Sequence, residues 1–72
     1  MLKKLEITFY WNVQKNGNFP SGKIMERDRN CEISIRRTDN LEERITITTM
    51  IEEELLIEEA FLLGGFVRGL EK

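Results

Sequence analysis

The sequence predicts a small α+β fold: a three- or four-stranded antiparallel meander followed by one C-terminal α-helix packed on one face of the sheet. Three observations lead to this prediction. The chain has 72 residues, which is room for a single domain spanning 1–72. Apolar and polar residues alternate near the N-terminus and again from about 31 to 49, as in strands with one buried face. From about 50 onward the apolar residues recur at helical spacing.

The clearest strand lies at 5–13. Its apolar residues occupy every second position and are rich in aromatic and β-branched types, which favours a strand with one buried face. Trp11 shares the phase of the inward residues, so it is predicted to belong to the core. The inward residues are Leu5, Ile7, Phe9, Trp11 and Val13.

Residues 14–22 are predicted to form a loop. Asn16-Gly17 is typical of a tight turn, and Pro20 would interrupt a sheet ladder. A wholly irregular stretch reaching residue 30 would be long for a compact domain. A short strand near 23–27 is therefore expected, paired back on the first strand.

Two further strands are predicted to form a hairpin. Both alternate in polarity, and the turn-like Thr38-Asp39-Asn40 lies between them. In a register centred on Asn40 their apolar residues all lie on one face, so the pattern and the register agree. The expected pairs are Ile35 with Ile45, Ile33 with Ile47, and Cys31 beside Thr49.

The C-terminal helix is predicted at about 50–68. Thr49 and Glu52 have the spacing of a capping box. The apolar residues of this helix cover roughly half of its circumference, more than the ~100° stripe of a helix that rests on one surface. One face of a small sheet is too small to cover them, unless a curled sheet and the 14–30 loop wrap around the helix. The helix is therefore expected to mediate self-association through Leu56, Ile57, Ala60, Phe61, Leu63, Val67 and Leu70.

Composition argues against an enzyme. The chain has no histidine and one cysteine, so it offers neither an activated nucleophile nor a zinc ligand set. No catalytic residue, metal ligand or cofactor is predicted. The unpaired Cys31 favours a reducing compartment, and no apolar run reaches the ~20 residues of a membrane span. A cytoplasmic protein without membrane contact is expected.

Two charged groups are candidates for binding. Glu53, Glu54 and Glu58 could form an acidic docking face for a basic groove on a host protein, although solvation and the helix dipole also account for them. Arg36 and Arg44 should lie opposite each other on the outer sheet face, where opposed like charges favour an anion or a carboxylate between them. With Lys23 they form a possible anion-binding site.

The predicted function is a non-catalytic protein–protein interaction module, and the predicted partners are a second copy and a host protein. By type, a short, acidic, single-domain chain resembles the accessory proteins of phages and mobile elements, including anti-CRISPR and other anti-defence inhibitors. That resemblance implies inhibition by occluding a host protein. The alternative is a nucleic-acid or nucleotide-binding module that uses the sheet arginines. In topology, the predicted fold resembles the single-strand-binding transcriptional coactivator fold.

Overall fold

The computed structural model describes residues 1–39 and 41–71. Within these two ranges the chain forms three strands, three α-helices and one short 3-10 segment. In chain order these are β1 (Leu2–Asn12), α1 (Val13–Asn16), α2 (Ser21–Arg27), β2 (Glu32–Arg37), β3 (Glu42–Glu52), the 3-10 segment (Glu53–Leu55) and α3 (Leu56–Leu70). The structure is thus an α+β fold with a three-stranded antiparallel sheet and a C-terminal helix.

The strand order is β1-β3-β2, so β3 is the central strand. Its pairing with β1 runs without interruption from Leu2 opposite Glu52 to Asn12 opposite Glu42. The predicted meander is therefore wrong in its order, because the first strand neighbours the last one. The segment 13–31 carries the chain to the far side of β3, and β2 joins the sheet there.

The hairpin register is confirmed. Ile35 lies opposite Ile45, and Ile33 lies opposite Ile47. The turn is held by Asp39, whose Oδ1 accepts hydrogen bonds from the backbone N–H groups of residues 41 and 42 at 2.7 and 2.9 Å. Asn40, the predicted centre of the register, lies outside the described residues.

The short strand expected near 23–27 is instead the helix α2. Its Ile24 is buried and belongs to the core cluster, whereas Lys23 and Met25 on either side are exposed. A single inward residue in a seven-residue helix leaves no helical periodicity to detect, because such a pattern needs several turns.

The helix also begins later than predicted. β3 continues to Glu52, and α3 starts only at Leu56 after the 3-10 segment. Thr49 does not cap a helix, because its hydroxyl donates a hydrogen bond to Asp28 Oδ2. Thr49 and Ile51 stay in phase with the inward residues Ile45 and Ile47, so the strand pattern outlasts the capping-box signal.

The core lies between one face of the sheet and the helices α2 and α3. The predicted inward position of Trp11 is confirmed, since 1% of its surface is exposed. Cys31 is buried in the same cluster. Within the described residues, no helix is long and apolar enough to cross a membrane.

Candidate interaction surfaces

The seven predicted interface residues of α3 divide into two groups. Ile57 and Phe61 point into solvent, with 86% and 83% of their surface exposed. The other five help to form the chain's own core. Leu63 and Val67 are buried, and Leu56, Ala60 and Leu70 are partly buried against the core cluster. The surface left for a partner is therefore narrower than the sequence predicted, because the sheet already covers the inward side of the helix.

The helical segment from 55 to 62 carries four exposed apolar side chains outside the core. We call them the α3 outer surface. Ile57 and Phe61 lie four positions apart on the flank beside Gly64, and Leu55 and Leu62 lie seven positions apart on the opposite flank. The α3 outer surface consists of Leu55 (45% exposed), Ile57, Phe61 and Leu62 (53% exposed).

A groove runs beside this surface, between α3 and β1. We call it the β1–α3 groove, and its volume is about 270 Å³. A second depression adjoins it and brings Phe61 next to Gly64, Gly65 and Arg68. The groove and the flank of the α3 outer surface that carries Phe61 therefore share one side of the molecule. The groove is lined by Ile7, Thr8, Phe9, Ala60, Gly64, Val67, Arg68 and Glu71.

Gly64 and Gly65 have no role inside the chain that requires glycine. A methyl group placed at either position would meet no atom of its surroundings within 4 Å, and neither residue has a positive φ. Glycine inside a helix costs about 1 kcal/mol relative to alanine. The two residues thus leave an open, shallow stretch of helix beside the groove.

The three glutamates of the acidic docking face are all exposed. Glu53 and Glu54 lie in the 3-10 segment, and Glu58 lies in the first turn of α3. Among the described residues, none of the three forms an ion pair. The two flanking glutamates do, since Glu52 pairs with the N-terminal amine at 3.2 Å and Glu59 pairs with Arg27 at 2.5 Å.

The open face of the sheet carries the two predicted arginines side by side. Arg36 lies directly opposite Arg44, and Tyr10 pairs with Arg44 on its other side. Within the described part of the chain no carboxylate forms a salt bridge with either arginine. Lys23 is not part of this group, because α2 packs on the covered side of the sheet.

The neighbouring row on the open face consists of hydroxyl groups, which the sequence analysis did not single out. Thr8 pairs with Thr46 across the sheet, and Thr46 pairs with Ser34. The hydroxyls of Thr8 and Thr46 lie 3.1 Å apart. The signal was present in the sequence, because these residues occupy the outward phase of all three strands.

Cys31 has the environment of a structural thiol. Burial, and to a lesser extent the charge of Asp28, raises the pKa of this thiol above its ordinary value. The thiol donates a weak hydrogen bond to Met25 Sδ at 3.5 Å. A raised pKa lowers the fraction of the reactive thiolate. In the described ranges no three His, Cys, Asp or Glu side chains converge on a point that could hold a metal ion.

No family model, curated protein or solved structure matches this chain. The class that the structure defines is a small α+β protein with an antiparallel sheet. Its features for binding are therefore those of its own surface: the α3 outer surface, the β1–α3 groove, the acidic docking face and the arginine row.

Proposed function

We propose that this protein is a non-catalytic protein–protein interaction module that self-associates through α3. The observation that carries the proposal is the exposure of Ile57 and Phe61 in an isolated chain. Burying one large apolar side chain contributes roughly 1.5–3 kcal/mol. An exposed apolar band on a water-soluble domain is typical of an interaction site.

The size of the chain supports association. A domain of about 70 residues rarely obtains more than roughly 3–5 kcal/mol from a single core, and it usually gains further stability from disulfides, metals or oligomerisation. The single cysteine excludes a disulfide within one chain. Pairing the α3 outer surface with that of a second copy would extend the core across the interface.

Measuring the mass in solution tests this proposal. We expect the wild-type chain to show a multiple of 8.5 kDa in light scattering, and we expect Phe61→Glu to reduce the mass to one chain. Met50→Glu is the matched control, because Met50 is also exposed and apolar but lies on the open sheet face. A wild-type chain that remains at 8.5 kDa at every concentration would contradict the proposal.

A host protein with a basic groove is the second partner that we propose. Within residues 1–39 and 41–71 the acidic docking face forms no ion pair, so Glu53, Glu54 and Glu58 are available for charge complementarity. Occlusion of such a protein is the mode of action of the anti-defence inhibitors that the chain resembles by type. Reversing two charges, Glu54→Lys with Glu58→Lys, should abolish binding to such a protein, and unchanged binding by this variant would contradict the second proposal.

An alternative function is the binding of nucleic acid or a nucleotide. The Tyr10–Arg44–Arg36 row favours it, because two adjacent guanidinium groups and an aromatic ring on an open sheet suit phosphates and bases. A single-stranded oligonucleotide should then bind with an affinity that falls steeply with salt. Arg36→Gln with Arg44→Gln should remove the binding, whereas Arg29→Gln, at an exposed position outside the sheet, should not. Salt-insensitive or absent binding would exclude this alternative.

A further inference from the structure

We infer that the second copy docks along the free edge of β1, so that two β1 strands pair antiparallel about Ile7 and the sheet continues through both chains. This inference rests on the proposed self-association and specifies its geometry. The α3 outer surfaces of the two chains then meet above the new strand pair.

The backbone groups on the free edge of β1 belong to its even-numbered residues. At one end of the strand, the carbonyl of Met1 accepts a hydrogen bond from the N–H of Glu53; at the other, the N–H of Val13 donates to the carbonyl of Leu41. The register between these two bonds is uninterrupted. Because bonding alternates along an antiparallel strand, odd residues bond to β3 and even residues point their N–H and C=O groups outward.

The free edge of β1 carries few of the features that prevent pairing. It is 11 residues long, contains no proline, and has charged side chains only at Lys3, Lys4 and Glu6, so its second half is uncharged. Long edges with few charges are the ones that pair with other chains. The opposite edge of the sheet is β2, which has only six residues and ends with Arg36-Arg37. Short strands and charged side chains discourage pairing at a sheet edge, so β1 is the edge suited to a second copy.

The sequence of β1 is complementary to itself in one register. Centring the pair on Ile7 uses the whole strand and places Leu5 opposite Phe9 on the covered face. On the open face it places Lys4 opposite the ring of Tyr10, which allows a cation–π contact. Centring on Glu6 would put two glutamates face to face, which is unfavourable. Centring on Thr8 would leave Leu2 and its neighbour unpaired.

The pairing of two β1 strands also accounts for Gly64 and Gly65 in α3. Paired strands lie about 4.8 Å apart, whereas packed helices need roughly 8–10 Å between their axes. α3 lies beside β1, since the β1–α3 groove is lined by both. The two helices are therefore brought close together over the strand pair. Gly64 and Gly65 provide the room, and Phe61 and Ile57 fill the space along the preceding turns of the helix.

The side of the molecule that carries the β1 edge is large enough for a dimer interface. The molecule measures 40 × 20 × 19 Å, and an 11-residue strand is about 37 Å long, so β1 runs along the long axis. The side that carries the β1 edge and the groove then has an outline of about 40 Å by 20 Å, which is large enough to hold the ~800 Å² per partner of a standard interface.

A proline scan of the two sheet edges tests the inference. Thr8→Pro removes an outward N–H at the centre of the proposed pair while leaving the bonds to β3 intact, and edge strands tolerate proline. We expect the mass in light scattering to fall to one chain with the circular dichroism unchanged. Ile35→Pro is the matched control on the β2 edge, where odd residues point outward because Thr38 N–H donates to the carbonyl of Glu42. We expect that variant to keep the wild-type mass.

Hydrogen exchange on the wild-type chain gives a test that does not depend on whether a variant folds. In the dimer, the amides of Lys4, Glu6, Thr8 and Tyr10 should be protected and should lose protection on dilution. The odd-numbered amides of β1 should stay protected at every concentration, because they bond to β3. Rapid exchange of the even amides in a dimeric sample would overturn the inference.

Cysteine cross-linking tests the register. Ile7→Cys should form a disulfide between copies, because residues opposed in a non-hydrogen-bonded pair have Cα atoms about 4.5 Å apart, within the range of a disulfide. Phe9→Cys should not, since the two copies of that position would be displaced by four residues, about 13 Å. Cross-linking of both variants, or of neither, would contradict the register.

The results of these experiments distinguish a failure of the β1 edge pairing from a failure of the proposed self-association. A monomeric wild-type chain refutes both. A dimer that Phe61→Glu dissociates but Thr8→Pro does not refutes only the edge pairing. A monomeric chain whose even β1 amides become protected when an extended peptide is added would show that the occupant is a strand of another protein, and would likewise overturn pairing with a second copy.

Discussion

At the residue scale, Trp11 connects the sheet to the loop that follows it. Its indole Nε1–H donates a hydrogen bond to the carbonyl of Gly17 at 2.9 Å, and its ring forms a T-shaped pair with that of Phe19, with 5.1 Å between the ring centroids. Gly17 has a φ of 74°, a left-handed conformation that glycine adopts without strain. The side chain thus fixes a loop that would otherwise have few contacts with the strand.

Replacing Trp11 with phenylalanine should lower the free energy of unfolding by about 1–3 kcal/mol, through the lost hydrogen bond and the reduced packing volume. Tyr10→Phe is the matched control, because Tyr10 is adjacent but 59% exposed and should change stability by less than about 0.5 kcal/mol. Urea unfolding followed by circular dichroism measures both. Equal effects of the two substitutions would contradict the assigned role of Trp11.

The burial of the inward strand residues was largely predictable from the sequence. The role of a residue whose partner lies far away in the chain was not. The inward phase of Trp11, Ile33 and Ile45 follows from alternation alone, and the structure confirms their register or burial. Thr49 was misassigned as a helix cap. Its hydroxyl bonds to Asp28, which is 21 positions away, and no local pattern encodes such a contact.

At the element scale, α2 and α3 stabilise each other on the covered face of the sheet. Arg27 at the end of α2 pairs with Glu59 and lies 5.9 Å from the ring centre of Phe66. The long helix was predictable because its periodicity spans four turns. The seven-residue α2 was not, because its stability comes from these tertiary contacts and not from local propensity.

The glycines of α3 should affect folding and association in opposite directions. Gly64→Ala should raise the stability of the single chain by about 0.5–1 kcal/mol, because alanine is the better helix former and the new methyl group meets no atom within 4 Å. The same methyl group should weaken self-association, since Gly64 lines the β1–α3 groove. Urea unfolding at high dilution and sedimentation equilibrium measure the two effects.

Gly69→Ala is the control for this pair of effects. Gly69 is exposed near the end of α3, and helical geometry places it away from the side that carries Phe61 and Gly64. That substitution should leave the dimer dissociation constant unchanged. If Gly64→Ala and Gly69→Ala weakened association equally, Gly64 would not lie at the interface.

At the scale of the whole molecule, the strand order determines which surface is free. The alternation of apolar and polar residues predicts which face of each strand is buried. It does not specify that β3 pairs with both neighbours and leaves β1 at an edge. Ile57 and Phe61 of the α3 outer surface were predicted from the excess of apolar residues. Leu55 and Leu62 were not among the expected interface residues, and five of the seven expected residues proved to belong to the core. The β1–α3 groove depends on two elements about 50 positions apart in the chain, so only the assembled fold reveals it.

An interface that completes the core should make thermal stability depend on protein concentration. Ligands that bind only the folded state raise its stability by mass action, and a second copy is such a ligand. With an unfolding enthalpy of roughly 50 kcal/mol per chain, a tenfold rise in concentration should raise the wild-type Tm by about 5 °C. Phe61→Glu should have a Tm that is independent of concentration, whereas Met50→Glu should follow the wild type. Scanning calorimetry from about 10 μM to about 1 mM measures this, and a constant wild-type Tm over that range would show that folding and association are uncoupled.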